Sequence, residues 1–272
     1  MDPDSDPDAA GAREQPLRLK RLLPPGDDAA VAEIVEQLGL WERPTKPPAR
    51  PRVMLNMIST TDGRATLSGR SGPLSGPADR ELFHGLRSAV DGVLVGAGTV
   101  RAERYGRIIP NASRRELRRA RGLSEEPLAC IVSGGLALEQ SLPLLAEPSA
   151  RVVILTASHA SLPATPAHVE YVRAERDGRV DLAAALAELG ERFAVRSLLC
   201  EGGPHLACEL LAAGLLDELF LSLAPLLAGG EASAGEALRI LAGNDLQPPV
   251  QLELLDVLES GSSVFLHYRV SA

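Results

Sequence analysis

The chain predicts an α/β fold: a single mixed, mostly parallel sheet with helices on both faces and a C-terminal antiparallel hairpin. Three observations lead there. From Arg52 onward, runs rich in Val, Ile and Leu alternate with segments whose apolar residues recur at helical spacing, the pattern of a parallel sheet covered on both sides. Two of these runs end in glycines, at Val95-Gly96-Ala97-Gly98-Thr99 and at Cys200-Glu201-Gly202-Gly203-Pro204, the second of which turns into a helix. Beyond Glu218 the apolar runs follow one another with no long helix between them.

Residues 1–15 alternate Asp with Pro and Ser and are expected to form a disordered acidic tail. Residues 16–49 read as a helical extension and a connector. Val31, Ile34, Val35 and Leu38 give Ala29–Leu40 a helical stripe, Gly39 is placed to end it, and Pro44–Pro51 is stiff. This piece is too small for a core of its own and should pack onto the main domain, residues 50–272.

Within that domain, strands are expected at Val53–Ile58, Asp91–Val95, Leu128–Ser133, Arg151–Thr156, Val169–Arg173 and Ser197–Glu201. Helices are expected at Pro77–Val90, Ser113–Arg121, Asp181–Phe193 and Pro204–Ala213. Leu182, Leu186 and Leu189 form one buried stripe, and Leu206, Leu210 and Leu211 another. Glu218–Leu223, Gln251–Leu258 and Val264–Val270 are expected as antiparallel finishing strands, the last two joined by a turn at Glu259-Ser260-Gly261-Ser262-Ser263.

Composition narrows the function. Of 272 residues 45% are hydrophobic and 24% charged, as in ordinary globular proteins, while aromatics at 3% leave the core to aliphatic side chains. A net charge of −8, with no basic stripe, argues against nucleic-acid binding. Arg114, Arg115, Arg118, Arg119 and Arg121 read as a solvated helix face. Cys130, Cys200 and Cys208, like the five histidines, show no metal-ligand spacing, so no metal is expected. The lack of a disulfide pattern, a membrane-length apolar run or a signal-peptide pattern makes a cytoplasmic setting the expectation. No Gly-x-Ser-x-Gly elbow sits on a strand, which disfavours a hydrolase.

The glycine-rich ends are the candidate binding edge. Glycines let backbone approach a ligand, and a helix start such as Pro204 offers free N–H groups and a positive dipole end to phosphate. The same residues also suit a plain strand-to-helix turn. Two such ends in one chain favour a crevice for a phosphate-bearing cofactor. A third strand end, Asn56-Met57-Ile58-Ser59-Thr60-Thr61-Asp62-Gly63, brings a carboxylate to the edge where open α/β sheets bind ligands. The loop Ser68–Asp79 is rich in Gly, Ser and Pro, and reads both as a site cover and as a helix start. Arg87 and Arg107 are candidate anion contacts, with a surface role the alternative for each.

In order along the chain, Ser59-Thr60-Thr61-Asp62-Gly63-Arg64, Gly69-Arg70-Ser71-Gly72-Pro73-Leu74-Ser75-Gly76-Pro77, Leu86-Arg87, Val95–Glu103 and Glu201-Gly202-Gly203-Pro204-His205-Leu206 closely resemble the pyrimidine reductase domain of riboflavin biosynthesis, a relative of dihydrofolate reductase. The resemblance covers about Arg50 to the C-terminus. It implies a dihydrofolate-reductase-like fold, NADPH as hydride donor, a homodimer, and 5-amino-6-(5-phosphoribosylamino)uracil as the substrate whose ribose becomes a ribityl chain.

By motif position it assigns Gly96, Gly98, Thr99, Glu103, Ser133, Gly202, Gly203, Pro204, His205 and Leu206 to the cofactor. Asn56, Ser71, Arg87, Arg107 and Glu201 go to the substrate. Asp62 and Glu201 are the catalytic candidates, Asp62 as an orienting group or proton relay. The zinc deaminase motifs of bifunctional relatives are missing. Asn56 stands where those proteins commonly have Lys, and Pro73-Leu74 where they have Trp-Ile. These differences leave open a reductase of another heterocycle, such as dihydrofolate, or a nucleotide-binding protein without catalysis.

Overall fold

The computed structural model describes residues 16–42, 49–230 and 238–271. The expected acidic tail and most of the Pro-rich connector lie outside these residues. The chain begins with strands β1 (Arg18–Leu23) and β2 (Ala29–Ala30), helix α1 (Val31–Gln37) and strand β3 (Arg52–Thr60). After α2 (Pro77–Ala89) come β4 (Gly92–Gly96), α3 (Ala97–Ala102), α4 (Ala112–Ala120), β5 (Leu128–Val132) and α5 (Pro143–Ala146). Next are β6 (Arg151–Thr156), β7 (His168–Arg173), the short pair β8 (Glu175–Arg176) and β9 (Arg179–Val180), then α6 (Leu182–Phe193). The chain finishes with β10 (Ser197–Cys200), α7 (Pro204–Ala212), β11 (Glu218–Ala224), β12 (Leu252–Ser260) and β13 (Ser263–Val270).

Eleven strands of the described residues join one sheet in the order β2-β1-β12-β13-β11-β3-β10-β4-β5-β6-β7. From β11 to β7 every neighbouring pair is parallel. The fold class read from the sequence is therefore present, with one refinement. β11 runs parallel to β3 and antiparallel to β13, so it is the hinge between the two halves rather than purely an antiparallel finisher. The β12–β13 hairpin turns through Gly261 and Ser262 at φ 58° and 66°, the left-handed pair that matches strand twist.

Alternation along the parallel strands feeds two cores. Met54, Val93, Val95, Ile131, Ile154 and Leu199 face α1 and α2, whose Val31, Val35, Leu82 and Leu86 cover them. Val53, Leu55, Leu94, Val153, Leu198 and Cys200 face the other way, under Leu182, Leu186 and Leu189 of α6 and Leu206 and Leu210 of α7. Asp181 caps α6, its carboxylate accepting the Ala184 N–H at 3.1 Å.

The N-terminal extension is part of the sheet. β1 pairs antiparallel with β12, and Leu19 is fully buried. The expected helix is shorter than Ala29–Leu40: Ala29–Ala30 pair with β1, the Ala30 N–H bonds Glu33 at 2.9 Å, and Gly39 turns at φ 64°. α1 then lies so close on α2 that a Cβ on Gly85 would come within 2.6 Å of Val31 Cγ1. The arginine cluster on α4 also departs from the expectation. Arg118 is 0% exposed and donates to the carbonyls of Ser88, Val90 and Ser124, which fixes the end of α2.

Candidate active site

Both glycine-rich turns lie at the carboxyl edge of the parallel strands, and the backbone joins them. The Glu201 N–H donates to Leu94 O at 2.9 Å, and the Gly96 N–H to Gly202 O at 2.8 Å. Gly96 ends β4 and caps α3; Gly203 caps α7, with Pro204 at its first position. Gly202 has φ +80°, and the Gly202–Gly203 peptide is cis. A Cβ on Gly203 would sit 2.7 Å from Thr99 Oγ1. Backbone thus passes directly beside the Thr99 hydroxyl, a cradle that any side chain at Gly203 would fill.

The other cofactor candidates gather around this cradle. Ser133 follows β5, next to Gly96 in the register, and is buried. A Cβ on Gly98, Gly134 or Gly135 would meet nothing within 4 Å, so the mouth here is open. His205 is exposed and Leu206 buried in the first turn of α7. Glu103, just past α3, holds the glycine-serine loop: its Oε1 accepts from the Ser71 N–H at 2.8 Å and the Ser71 hydroxyl at 3.0 Å. A glycine-bordered slot between two helix starts, with hydroxyls on its walls, fits a dinucleotide.

On the α2 side of the edge, Glu201 follows β10 while Asn56 lies beside it in β3, by extension of the Cys200–Leu55 register. Glu201 is 8% exposed and carries three donors. Arg87 Nε and Nη2 reach it at 2.7 and 2.8 Å, and the Tyr105 hydroxyl at 2.5 Å. The third bond of Arg87 goes to Ile108 O at 3.1 Å, and Phe83 packs under its guanidinium at 4.1 Å. Burial works against the Arg87 charge, but Glu201 more than offsets it and the guanidinium is held above its usual range. Burial, then the Glu201 charge, lift the Tyr105 phenol well above its usual value.

Two expectations are corrected here. Arg87 is spent on Glu201 and is not presented as a free phosphate contact. Arg107 does not reach this edge at all: it pairs with Glu126 and lies 3.2 Å from Ser149, residues that precede β5 and β6 at the opposite edge of the sheet. Asp62 is at the right edge, but its oxygens accept from the Thr60 hydroxyl at 2.5 Å, the Ala228 N–H at 3.1 Å and the Gly229 N–H at 2.6 Å. The Thr60 bond, then those of Gly229 and Ala228, pull its pKa down to about 2. It fastens the loop after β11 to the end of β3.

Tyr105 was not singled out from sequence, and Arg118 was read only as part of a solvated helix face. Their signal is long-range: each matters through a partner that only the fold supplies.

Residues 51–266 match the RibD C-terminal domain model. The chain is 26% identical over 230 residues to the 2,5-diamino-6-ribosylamino-4(3H)-pyrimidinone 5′-phosphate reductase of Methanothermobacter thermautotrophicus, covering 81% of this chain and 99% of that one. It is 28% identical over 222 residues to the enzyme of the same name from Archaeoglobus fulgidus, with the same coverage, 81% and 99%. Among solved structures, a pyrimidine reductase-like protein from Corynebacterium diphtheriae superposes with TM-score 0.69 at 22% identity, over 90% of this chain and 100% of that one. The yeast riboflavin biosynthesis reductase Rib7 superposes with TM-score 0.60 at 21% identity, over 88% and 99%. These two structures share the fold. The chain belongs to the RibD C-terminal domain family, the NAD(P)H-dependent pyrimidine reductases of riboflavin biosynthesis.

Proposed function

We propose that the chain uses NADPH to reduce a phosphoribosylamino-pyrimidine to its ribitylamino product. Two substrates fit that description. One is 5-amino-6-(5-phosphoribosylamino)uracil, implied by the motifs; the other is the 2,5-diamino-pyrimidinone named for the two archaeal relatives, which differs at C2. The observation that carries the reading is the cradle in which Gly203 passes Thr99 beside the joined ends of β4 and β10. NADPH, when bound, supplies the hydride. The chain's own residues position: Thr99, Ser133 and the α7 start hold the dinucleotide, and Glu103 keeps the Ser71 loop over it. Asn56 borders the face on which the heterocycle lies. Glu201, held by Arg87 and Tyr105, sets the shape of that face.

A dihydrofolate reductase is the second reading, favoured by the commitment of Arg87 to Glu201, since dihydrofolate carries no phosphate. NADPH oxidation with the phosphoribosylamino-pyrimidines and dihydrofolate side by side separates the two. Turnover of a pyrimidine supports the proposal; turnover of dihydrofolate alone overturns it.

The proposal includes a homodimer in the cytoplasm. Its support is an apolar strip on the outer strands: Leu252 and Leu254 of β12 are 41% and 40% exposed, and Leu22 of β1 is 44% exposed. Leu252 and Leu254 stand opposite Val270 and Tyr268. Among the described residues no helix is long and apolar enough to cross a membrane.

A further inference from the structure

The described N-terminal extension, residues 16–42, precedes the 51–266 stretch that matches the family model, yet it packs against α2, a wall of the site. The two ends of α1 are held differently. At its start, Val31 and Val35 lie so close to Gly85 of α2 that a Cβ there would clash. Its end stands over a cavity of about 250 Å3 lined by Ile34, Gln37, Leu38, Arg52, Glu218 and His267. Polar bonds hold this end, and they converge on His267 of β13. The ring Nδ1 lies 3.0 Å from Asp256 of β12, and Nε2 lies 2.9 Å from Glu218 of β11. Each carboxylate hands the contact to an arginine, and each arginine to α1. Arg21 of β1 donates to Asp256 at 2.9 Å and to the Gln37 side chain at 2.8 Å. Arg52 of β3 donates to Glu218 at 2.9 Å and to Leu38 O, at the C-cap of α1, also at 2.9 Å. Phe220 stacks on the imidazole at 4.1 Å. The other charges of these elements have their own partners. Arg269 pairs with Glu253, Glu33 and Glu36 of α1 pair with Arg18 and Arg121, and Lys20 stands opposite Glu259.

We propose that the N-terminal extension braces α2, and that His267 is the proton-controlled latch of this brace. An imidazolium donates from both ring nitrogens, one to each carboxylate. A neutral imidazole keeps one N–H, so its second nitrogen turns a lone pair toward the other carboxylate. That arm loses its anchor, and its arginine loses its fixed hold on α1. The cavity has room for several waters, which solvate the released carboxylate. Burial works against the His267 charge, but its two carboxylate partners more than offset this. The latch is therefore closed at low pH and opens as pH rises through the raised folded value. Further along, α2 carries Arg87, which grips Glu201 at 2.7 and 2.8 Å. A slack brace thus reaches the heterocycle face and leaves the slot between α3 and α7 alone. His267 is a positioning residue. Its effect on turnover rests on the reductase reading above; the latch itself does not.

The test is hydrogen exchange of the full chain, read by mass spectrometry from about pH 6 to about pH 9 and corrected for the intrinsic pH dependence of exchange. Protection of α1 should fall at least about tenfold across that range, and α2 should lose protection with it, while β5 and β6 stay unchanged. His267→Gln has no titrating proton, so protection of α1 should no longer depend on pH. Arg21→Gln cuts one arm without touching the imidazole, and should lower α1 protection already at the acid end. Thermal melting checks that both variants are folded. In steady-state kinetics, the KM for the pyrimidine should rise several-fold over the same range and the KM for NADPH should not; His267→Gln should remove the rise. Wild-type α1 protection that ignores pH, or that falls equally in His267→Gln, overturns the latch. An α2 that stays protected while α1 opens overturns the brace. Turnover of neither pyrimidine overturns the reductase reading, and hydrogen exchange then still decides both latch and brace.

Discussion

Arg87 and Glu201, 114 residues apart, meet in a two-bonded ion pair at 2.7 and 2.8 Å beneath the glycine-bordered edge. The pair anchors the end of β10 to α2, and Arg118 in turn anchors the end of α2 through the Ser88 and Val90 carbonyls. Breaking it strands a charge in the core. Arg87→Ala is expected to lower the unfolding free energy by about 3–5 kcal/mol, read by urea denaturation. A loss below about 1 kcal/mol, the scale of a surface pair, would place the pair in solvent instead.

The Tyr105 phenol bonds the same carboxylate from the other side. Tyr105→Phe removes one charge-assisted hydrogen bond while keeping the ring, so stability should drop by about 1.5–3 kcal/mol. Since the ring, 5.5 Å from the Arg87 guanidinium, is kept, the fold should survive. On the proposed function, turnover should fall more than cofactor affinity, because Tyr105 borders the proposed heterocycle face and not the proposed dinucleotide slot.

Gly203→Ala drives a methyl into the Thr99 hydroxyl, 2.7 Å from the new Cβ. NADPH affinity, measured by fluorescence titration, should weaken at least about tenfold, the scale of misplacing the slot by a fraction of an ångström. Thr99→Ala in the same chain removes the obstructing oxygen. Relative to Thr99→Ala alone, the added Gly203→Ala should then weaken binding less than it does in wild type. Equal losses in both backgrounds would mean that the close approach is irrelevant.

His267 lies between Asp256 at 3.0 Å and Glu218 at 2.9 Å, stacked on Phe220. Burial works against its charge, but the two carboxylates more than offset this and raise its pKa. The group therefore stabilises the fold fully below its unfolded value, about 6.5, and the contribution fades as pH rises through the higher folded value. Both carboxylates are shifted the other way. Asp256 is lowered chiefly by the His267 bond; Glu218 is lowered by His267 and Arg52 against the cost of burial. Their contribution is present above the unfolded carboxylate range and is lost as pH falls through the folded values. Denaturation midpoints should thus decline on both the acid and the alkaline side, and His267→Gln should abolish the alkaline limb. An unchanged alkaline decline in that variant would assign it to another group.

The sheet was readable from the sequence because its central strands are apolar runs, such as Leu128–Val132 and the Val152–Leu155 stretch of β6, buried on both faces. β1 was not, because Arg18–Leu23 mixes charges with leucines and becomes a strand only by pairing with β12. α3 was missed because Ala97-Gly98-Thr99 has weak helix propensity over just six residues. The glycine cradle was legible as two strand ends, and the structure joins them. The arginines were misread for one reason: an Arg shows its charge in sequence but not its partner. Arg87 found Glu201, Arg107 found Glu126, and Arg118 found four backbone carbonyls.

The most direct test of the central claim is mass spectrometry of the product formed with NADPH deuterated at the transferred position. The pyrimidine reductase account predicts one deuterium in the product, carried on C1′ of a newly formed ribityl chain. A pyrimidine recovered with its ribose unreduced and no deuterium, from protein that binds NADPH, would contradict it.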